Sequence, residues 1–314
     1  MLKPVNLHLN SVIITDVENH KHITTTELHK DLNNLNKFKA VDNKNNFAGN
    51  PFLYHFQFKN LLKCRRQDGK TIYDIWNDKP EWDKLIESTR QRNRGGRTAA
   101  GNVFECFRIN LGSVVMFKAT TAKYLYKKHG ATSVLDPTAG WGGRMLGAWS
   151  LGIDYTGIDT NVEMTPAYDD MIKFLNEYTG FNNPNFAIDN PSKLKMLWQS
   201  CLDVDFSKLN YDFVLTSPPY VNLEIYEHME LWDSNEAFYR NFFIPLWAKC
   251  IKHIKPGGRV CFNISPKMYE DALSFGLTPC DEEEDLLQQM GQKKVAIKKG
   301  KKKQDKIYIW LTQP

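Results

Sequence analysis

The segment Thr216-Ser217-Pro218-Pro219-Tyr220 carries more usable chemistry than any other in this sequence. It follows an apolar run, Tyr211 to Leu215, that reads as a buried strand. Each proline fixes its own φ and gives up its N–H, so the backbone carbonyls there are held still and left free to accept hydrogen bonds. Ser217 adds a side-chain acceptor and Tyr220 adds a flat face. Fixed acceptors beside an aromatic plane suit gripping a planar base by its exocyclic amino group.

A second chemical centre lies upstream in Asp136-Pro137-Thr138-Ala139-Gly140-Trp141-Gly142-Gly143-Arg144. Glycines in a strand-to-helix turn let the backbone come close to a ligand at a helix N-terminus. About 20 residues further on, Asp159 ends another apolar run, where a carboxylate can hold the two hydroxyls of a ribose. The turn has no full GxGxxG pattern, and Asp136 precedes its glycines. A carboxylate there would repel a pyrophosphate and would suit an amino-acid ammonium, directly or through water. Ribose, adenine and a methionine ammonium together describe S-adenosylmethionine, the expected cofactor.

Basic residues gather in two places. Arg90, Arg92, Arg94 and Arg97 surround two glycines and read as a mobile loop able to contact phosphates; a plain solvated loop is the alternative. Lys301 and Lys302 belong to a late run of lysines around Gly300, read as a charged hairpin tip, a contact to a DNA backbone or a nuclear localisation signal. Arg144 either reaches a substrate phosphate or caps the end of the sheet.

Elements to hold these residues follow from periodicity. Short apolar runs at 133–135, 155–158, 213–215, 259–264 and 307–311 read as strands. Helical patterns cover 122–129, 145–150, 165–178 and 242–254, with Gly130 and the Pro256-Gly257-Gly258 run as stops. Alternation of this kind predicts an α/β fold, a mostly parallel sheet with helices on both faces. Residues 1–100 form an N-terminal α+β extension, a candidate nucleic-acid or partner region, ahead of a main domain at 101–314. In the extension, residues 11–15 read as a strand. Phe52, Tyr54, Phe56 and Phe58 read as a strand with one aromatic face. Thr24 and Glu27 read as a capping box ahead of Leu28, Leu32, Leu35 and Phe38 at helical spacing.

Composition limits the alternatives. No apolar run approaches the ~20 residues of a membrane span, and the N-terminus has no apolar signal core, so no membrane partner and no secretion are expected. The expected location is the cytoplasm, or the nucleus in a eukaryotic host. The 6 cysteines include no CxxC pair, which argues against a zinc site or a disulfide framework; no metal is expected. A net charge of +5 permits a polyanionic partner without requiring one.

With both centres in view, the chain resembles the amino-group DNA methyltransferases that act on adenine N6 or cytosine N4 with S-adenosylmethionine, in their phage and viral forms. The resemblance covers residues 104–314 and implies a Rossmann-like α/β fold with a mostly parallel seven-stranded sheet. Asp136 to Gly142 is similar to the family's first cofactor motif, which adds Thr138, Gly140 and Gly142 to the implied cofactor residues. Asp159 resembles its ribose-binding acid, and Ser200 and Asp203 sit where its adenine-side contact lies. The segment with Phe117, Lys118 and Thr120 resembles the part that closes over the methionine end. Ser217, Pro218, Pro219 and Tyr220 resemble the catalytic tetrapeptide. Glu224 and Tyr226 fall in a loop similar to one in phage members, where they line the base pocket or simply pack.

The resemblance implies methyl transfer to the exocyclic amine of a flipped DNA base, adenine slightly ahead of cytosine, in the manner of a restriction-modification enzyme. Ser217 Oγ and the Pro218 carbonyl would accept the amino hydrogens and Tyr220 would stack on the base. The alternatives are the same chemistry on RNA or a protein amide, and a non-catalytic nucleic-acid-binding subunit. Only about 80 residues separate the two motifs, too few for a large target reader. Reading is therefore expected from the N-terminal hundred residues, the loop after Tyr220, a homodimer or a specificity partner.

Overall fold

The computed structural model describes residues 8–41, 46–66, 69–92, 97–111, 115–178, 192–221, 224–225, 231–285 and 305–313. The first part is helical: α1 (Ile14–Asn19), α2 (Thr25–Lys37), α3 (Asn50–Leu62), then the short β1 (Arg65–Arg66), α4 (Ile72–Asn77), α5 (Lys79–Arg92) and α6 (Ala99–Leu111). The capping box is formed as expected: Thr24 accepts from the Glu27 N–H, Glu27 bonds back, and Leu28, Leu32 and Leu35 are buried.

Both strands expected in this region are helices. At residues 11–15 a 3₁₀ turn, Leu9–Ser11, runs into α1, because the Asp16 carboxylate accepts the Ile13 N–H at 3.0 Å and closes the first helical turn. The alternating aromatics lie on α3. Gly49 enters it at φ +89°, which glycine adopts at little cost, and Pro51 presets the first turn. Phe52, Leu53, Gln57, Phe58, Leu61 and Leu62 are all buried, so α3 is covered on most of its circumference. A helix apolar all round has no polar face to reveal its period, and the even spacing of its aromatics imitates a strand.

The remaining chain builds the sheet: α7 (Ala119–His129), β2 (Ser133–Asp136), α8 (Gly143–Trp149), β3 (Asp154–Asp159), α9 (Thr165–Glu177), β4 (Leu194–Trp198), β5 (Phe213–Thr216), β6 (Glu224–Ile225), α10 (Asn235–Phe238), α11 (Ile244–His253), β7 (Arg259–Ile264), α12 (Pro266–Ser274), β8 (Glu282–Asp285) and β9 (Lys306–Leu311). Seven strands lie in the order β4-β3-β2-β5-β7-β9-β8. The first five are parallel and β9 runs antiparallel to both neighbours. The expected mostly parallel seven-stranded α/β sheet is therefore present.

Alternate residues of the same strands fall into separate cores, which places helices on both faces. Val134, Tyr155, Phe213, Leu215, Cys261 and Ile309 join one core with α1 to α9. Leu135, Ile158, Val214, Val260, Phe262 and Trp310 join the other with α10 to α12. The N-terminal helices thus share a core with α7, α8 and α9. The six cysteines are free, five of them buried. Among the described residues no helix is long and apolar enough to cross a membrane.

Candidate active site

The chain reverses direction across the sheet at β2. It leaves β2 to form β3 and β4 on one side, then returns to form β5 on the other. In open α/β sheets such a switch point leaves a crevice beyond the carboxyl ends of the strands, where ligands bind. Three turns border it here: residues 137–142 after β2, 160–161 after β3 and 217–220 after β5. Thr138 Oγ1 and Thr216 Oγ1 lie 2.7 Å apart, so a hydrogen bond joins the glycine turn to the base of the Ser-Pro-Pro-Tyr segment.

The glycine turn is fixed from below. Gly140 and Gly142 take φ of +57° and +85°, the left-handed region where a side chain is strained. The Gly140 N–H donates to Asp159 Oδ2 at 2.8 Å, its carbonyl accepts from the Tyr168 hydroxyl at 2.8 Å, and the Ala139 N–H donates to the Ile158 carbonyl at 2.9 Å. Gly143 begins α8 against the preceding segment: a Cβ there would lie 1.8 Å from the Phe117 carbonyl oxygen. Because that obstacle is backbone, Gly143→Ala is expected to cost about 3 kcal/mol or more. A thermal melt checks this; a midpoint equal to that of the unaltered chain would refute the packing.

Asp159 is half-buried and accepts two backbone N–H groups, from Gly140 and, through Oδ1 at 3.0 Å, from Asn161. Burial raises its pKa, and the two N–H groups oppose that rise. A carboxylate oxygen can accept more than one hydrogen bond, so each keeps capacity for a hydroxyl donor.

Asp136 and Arg144 satisfy each other beneath the turn, and capping the sheet end is one of the two roles expected of Arg144. Asp136 has no exposed surface; its Oδ2 accepts from Arg144 Nε at 2.6 Å and from the Tyr155 hydroxyl at 2.7 Å, while Oδ1 has no hydrogen-bond partner among the described residues. Arg144 is 4% exposed and also donates to the Thr138 carbonyl. Burial works against its charge, but Asp136 outweighs that and raises its pKa. The expectation that Arg144 reaches a substrate phosphate is corrected: the guanidinium points inward and caps the sheet end.

The other expected cofactor residues lie at the start of α7 and in the turn after β4. Phe117, Lys118 and Thr120 are buried. Phe117 lies under the Arg144 guanidinium at 5.2 Å, Thr120 donates to the Asn46 carbonyl at 3.0 Å, and the Lys118 ammonium sits 4.4 Å over the Phe47 ring. Burial lowers the Lys118 pKa to about 8. Ser200 and Asp203 form the turn after β4: Ser200 Oγ accepts the Leu202 N–H and its carbonyl accepts the Asp203 N–H, with Asp203 exposed. Lys249 of α11 braces this turn by donating to the Cys201 and Leu202 carbonyls.

At the fourth turn residue, Tyr220 donates its hydroxyl to Asp305 Oδ2 at 2.7 Å. Burial raises the Asp305 pKa, and the Tyr220 hydrogen bond pulls it back. Pro218 is buried; Ser217 and Pro219 are half-buried. Ser217 Oγ faces the carbonyl of Asn263 at 3.3 Å and Asn263 Oδ1 at 3.4 Å. Sequence reasoning missed Asn263, Asp305 and Lys249. Asn263 left a signal, a lone amide inside the apolar run of β7. Asp305 and Lys249 left none, because their partners are distant in the chain.

Of the expected nucleic-acid residues, Arg92, Arg97 and the backbone of Glu224 are described, in addition to Arg144. Arg92 ends α5, where it donates to Asn110 Oδ1 at 2.9 Å, and Arg97 pairs with Glu105 at 3.4 Å. Thus Arg90 and Arg92 are on a helix and not in a loop. Glu224 lies on β6, which pairs with β1 in the register Arg66↔Glu224 and joins the N-terminal chain to the segment after Tyr220. The Glu224 side chain, Arg94, Tyr226, Lys301 and Lys302 lie outside the described residues.

The strand order, the reversal at β2 and the turns beyond it define a doubly wound α/β protein with its topological switch point at β2. No family model and no curated protein matches the sequence. Among solved structures it is similar to TrmN from Thermus thermophilus, with 15% identity and a TM-score of 0.39 over 62% of this chain and 49% of that one. It is also similar to an RNA methyltransferase from Salinibacter ruber in complex with S-adenosyl-L-homocysteine, with 12% identity and a TM-score of 0.37 over 63% and 94% of the two chains. An rRNA methylase from Streptococcus thermophilus gives 9% identity and a TM-score of 0.40 over 64% and 99%. The match spans about half the length of TrmN.

Proposed function

We propose that this chain transfers a methyl group from S-adenosylmethionine to the exocyclic amino group of a nucleic-acid base, in DNA, with adenine N6 ahead of cytosine N4. The observation that carries the reading is the 2.7 Å Thr138–Thr216 contact, which sets the glycine turn and the Ser-Pro-Pro-Tyr turn side by side at the switch point. The residues there suit the cofactor. Asp159 keeps acceptor capacity for ribose hydroxyls, and a Cβ at Gly140 would meet nothing nearer than the Thr138 carbonyl at 4.0 Å, so the turn is open above. Ser200 and Asp203, in the turn after β4, offer polar groups for the adenine end. Bound there, the cofactor supplies an electrophilic methyl on sulfur.

The remaining work belongs to the chain. Ser217 faces two groups that can only accept, so its hydroxyl hydrogen is committed to Asn263 and its lone pairs are left for an amino hydrogen. The Pro218 carbonyl takes the second amino hydrogen. Two acceptors on one amine draw its nitrogen toward tetrahedral geometry and restore its lone pair for attack. Asp305 fixes the phenol of Tyr220, so the ring is positioned before a base stacks on it.

The test is incubation with methyl-labelled S-adenosylmethionine and a mixture of DNA and RNA, followed by nucleoside mass spectrometry. N6-methyldeoxyadenosine is the expected product. N4-methyldeoxycytidine would move the target base, and N6-methyladenosine confined to RNA would overturn the DNA assignment. No transfer to either polymer would overturn the enzymatic reading.

A further inference from the structure

Asn263 sits at the fifth position of β7, next to β5 in the sheet, and is 5% exposed. A buried amide in a strand of otherwise apolar inward residues costs free energy unless its groups are paired. Here they are paired in one sense only. Nδ2 donates to the Lys306 carbonyl at 3.2 Å, on the antiparallel neighbour β9, and this fixes which way the amide faces. Oδ1 is thereby turned to Ser217 Oγ at 3.4 Å, alongside the Asn263 backbone carbonyl at 3.3 Å.

We propose that Asn263 is the positioning residue of the Ser-Pro-Pro-Tyr site: it holds the Ser217 hydroxyl as a donor toward the sheet, so that the oxygen presents only lone pairs to the substrate amine. The inference rests on the methyl-transfer reading. A hydroxyl is ambivalent, with one hydrogen and two lone pairs. Left free, the Ser217 hydroxyl would rotate, and in some orientations its hydrogen would point at the amine and oppose the pull on the amino hydrogens. Two acceptors on the sheet side remove that ambiguity before the substrate arrives, which is preorganisation at the level of one proton. Asn263 touches no substrate; its effect passes through Ser217.

The test compares Asn263→Leu, which removes the side-chain acceptor, with Asn263→Asp, which keeps an oxygen toward Ser217. One acceptor, the backbone carbonyl, survives in both, so the loss in the leucine variant is partial. Its kcat is expected to fall roughly tenfold, the effect of one hydrogen bond, with the KM for S-adenosylmethionine unchanged. The aspartate variant keeps the acceptor toward Ser217, and in its protonated form its hydroxyl replaces Nδ2 as donor to the Lys306 carbonyl, so at a pH low enough to keep this buried carboxyl neutral it is expected to turn over within about threefold of the unaltered chain. Full turnover in the leucine variant would overturn the inference, and so would an aspartate variant as slow as the leucine one. If the leucine variant does not fold, an aspartate variant slowed about tenfold or more at that pH overturns the inference on its own. Absence of methyl transfer by the unaltered chain is a different failure, and it falls on the proposed function.

Discussion

Ser217→Ala is expected to bind S-adenosylmethionine as the unaltered chain does and to lose turnover by about a hundredfold or more, the usual effect of deleting one preorganised polar group at a reacting centre. The expectation follows from where the hydroxyl sits. Ser217 makes its hydrogen bonds to Asn263, on the far side of β5 from the glycine turn, and none of its described contacts reaches Asp159, Gly140 or Ser200. Removing Oγ therefore leaves the residues proposed to hold the cofactor untouched. It takes away one of the two acceptors that would draw on the amine. The structural cost is small, because both bonds are long and the backbone is held by Pro218 and Pro219; leaving Asn263 Oδ1 without its donor costs about 1 kcal/mol. Calorimetric titration with the cofactor and single-turnover methylation separate the two effects. Unchanged turnover would refute the role given to Ser217, and weakened cofactor binding would mean that the segment belongs to the other half of the crevice.

The parts of the fold that were legible in the sequence are those whose strands are short, apolar and ended by a polar or glycine turn. β2, β3, β5, β7 and β9 lie where the apolar runs predicted them, because a strand buried on both faces has no choice but a continuous apolar sequence. The edge strands were not legible for the converse reason. β4 is half-exposed along most of its length, and β8 is the acidic run from Glu282 to Asp285. Charges hold β8 as an edge: Glu283 pairs with Lys306 of β9, and Glu284 accepts from Lys128 and His129 at the end of α7. The candidate site was legible as two motifs but not as one place. Asp136 and Arg144 lie 8 residues apart and look like independent ligands in the sequence; only the strand-turn-helix geometry shows that they satisfy each other. Asn263 on β7 and Asp305, just ahead of β9, reach Ser217 and Tyr220 from distant parts of the chain, a proximity that no local pattern encodes.

Arg144→Met is expected to produce the largest loss of stability of any single change at the site, about 3–5 kcal/mol, because it strands a buried charge. Asp136 has no exposed surface, and with Arg144 gone its carboxylate would retain only the Tyr155 hydroxyl. The same change removes the bond to the Thr138 carbonyl, so the glycine turn loses one of its ties to α8. Replacing both members is a different experiment. Asp136→Leu with Arg144→Met puts apolar groups of similar volume into a site already walled by Phe117, Tyr126 and Tyr155, and no charge is left unpaired. The pair variant is expected to recover most of the lost stability, since a buried ion pair contributes little over a well-packed apolar substitute. Urea denaturation of the two singles and the double gives the coupling directly. A single Arg144→Met variant as stable as the unaltered chain would mean that the carboxylate is hydrated or otherwise compensated. If stability returns in the double variant while cofactor binding does not, the pair serves the turn as well as the fold: the Thr138 carbonyl is released in both variants, and only the buried charge has been repaired.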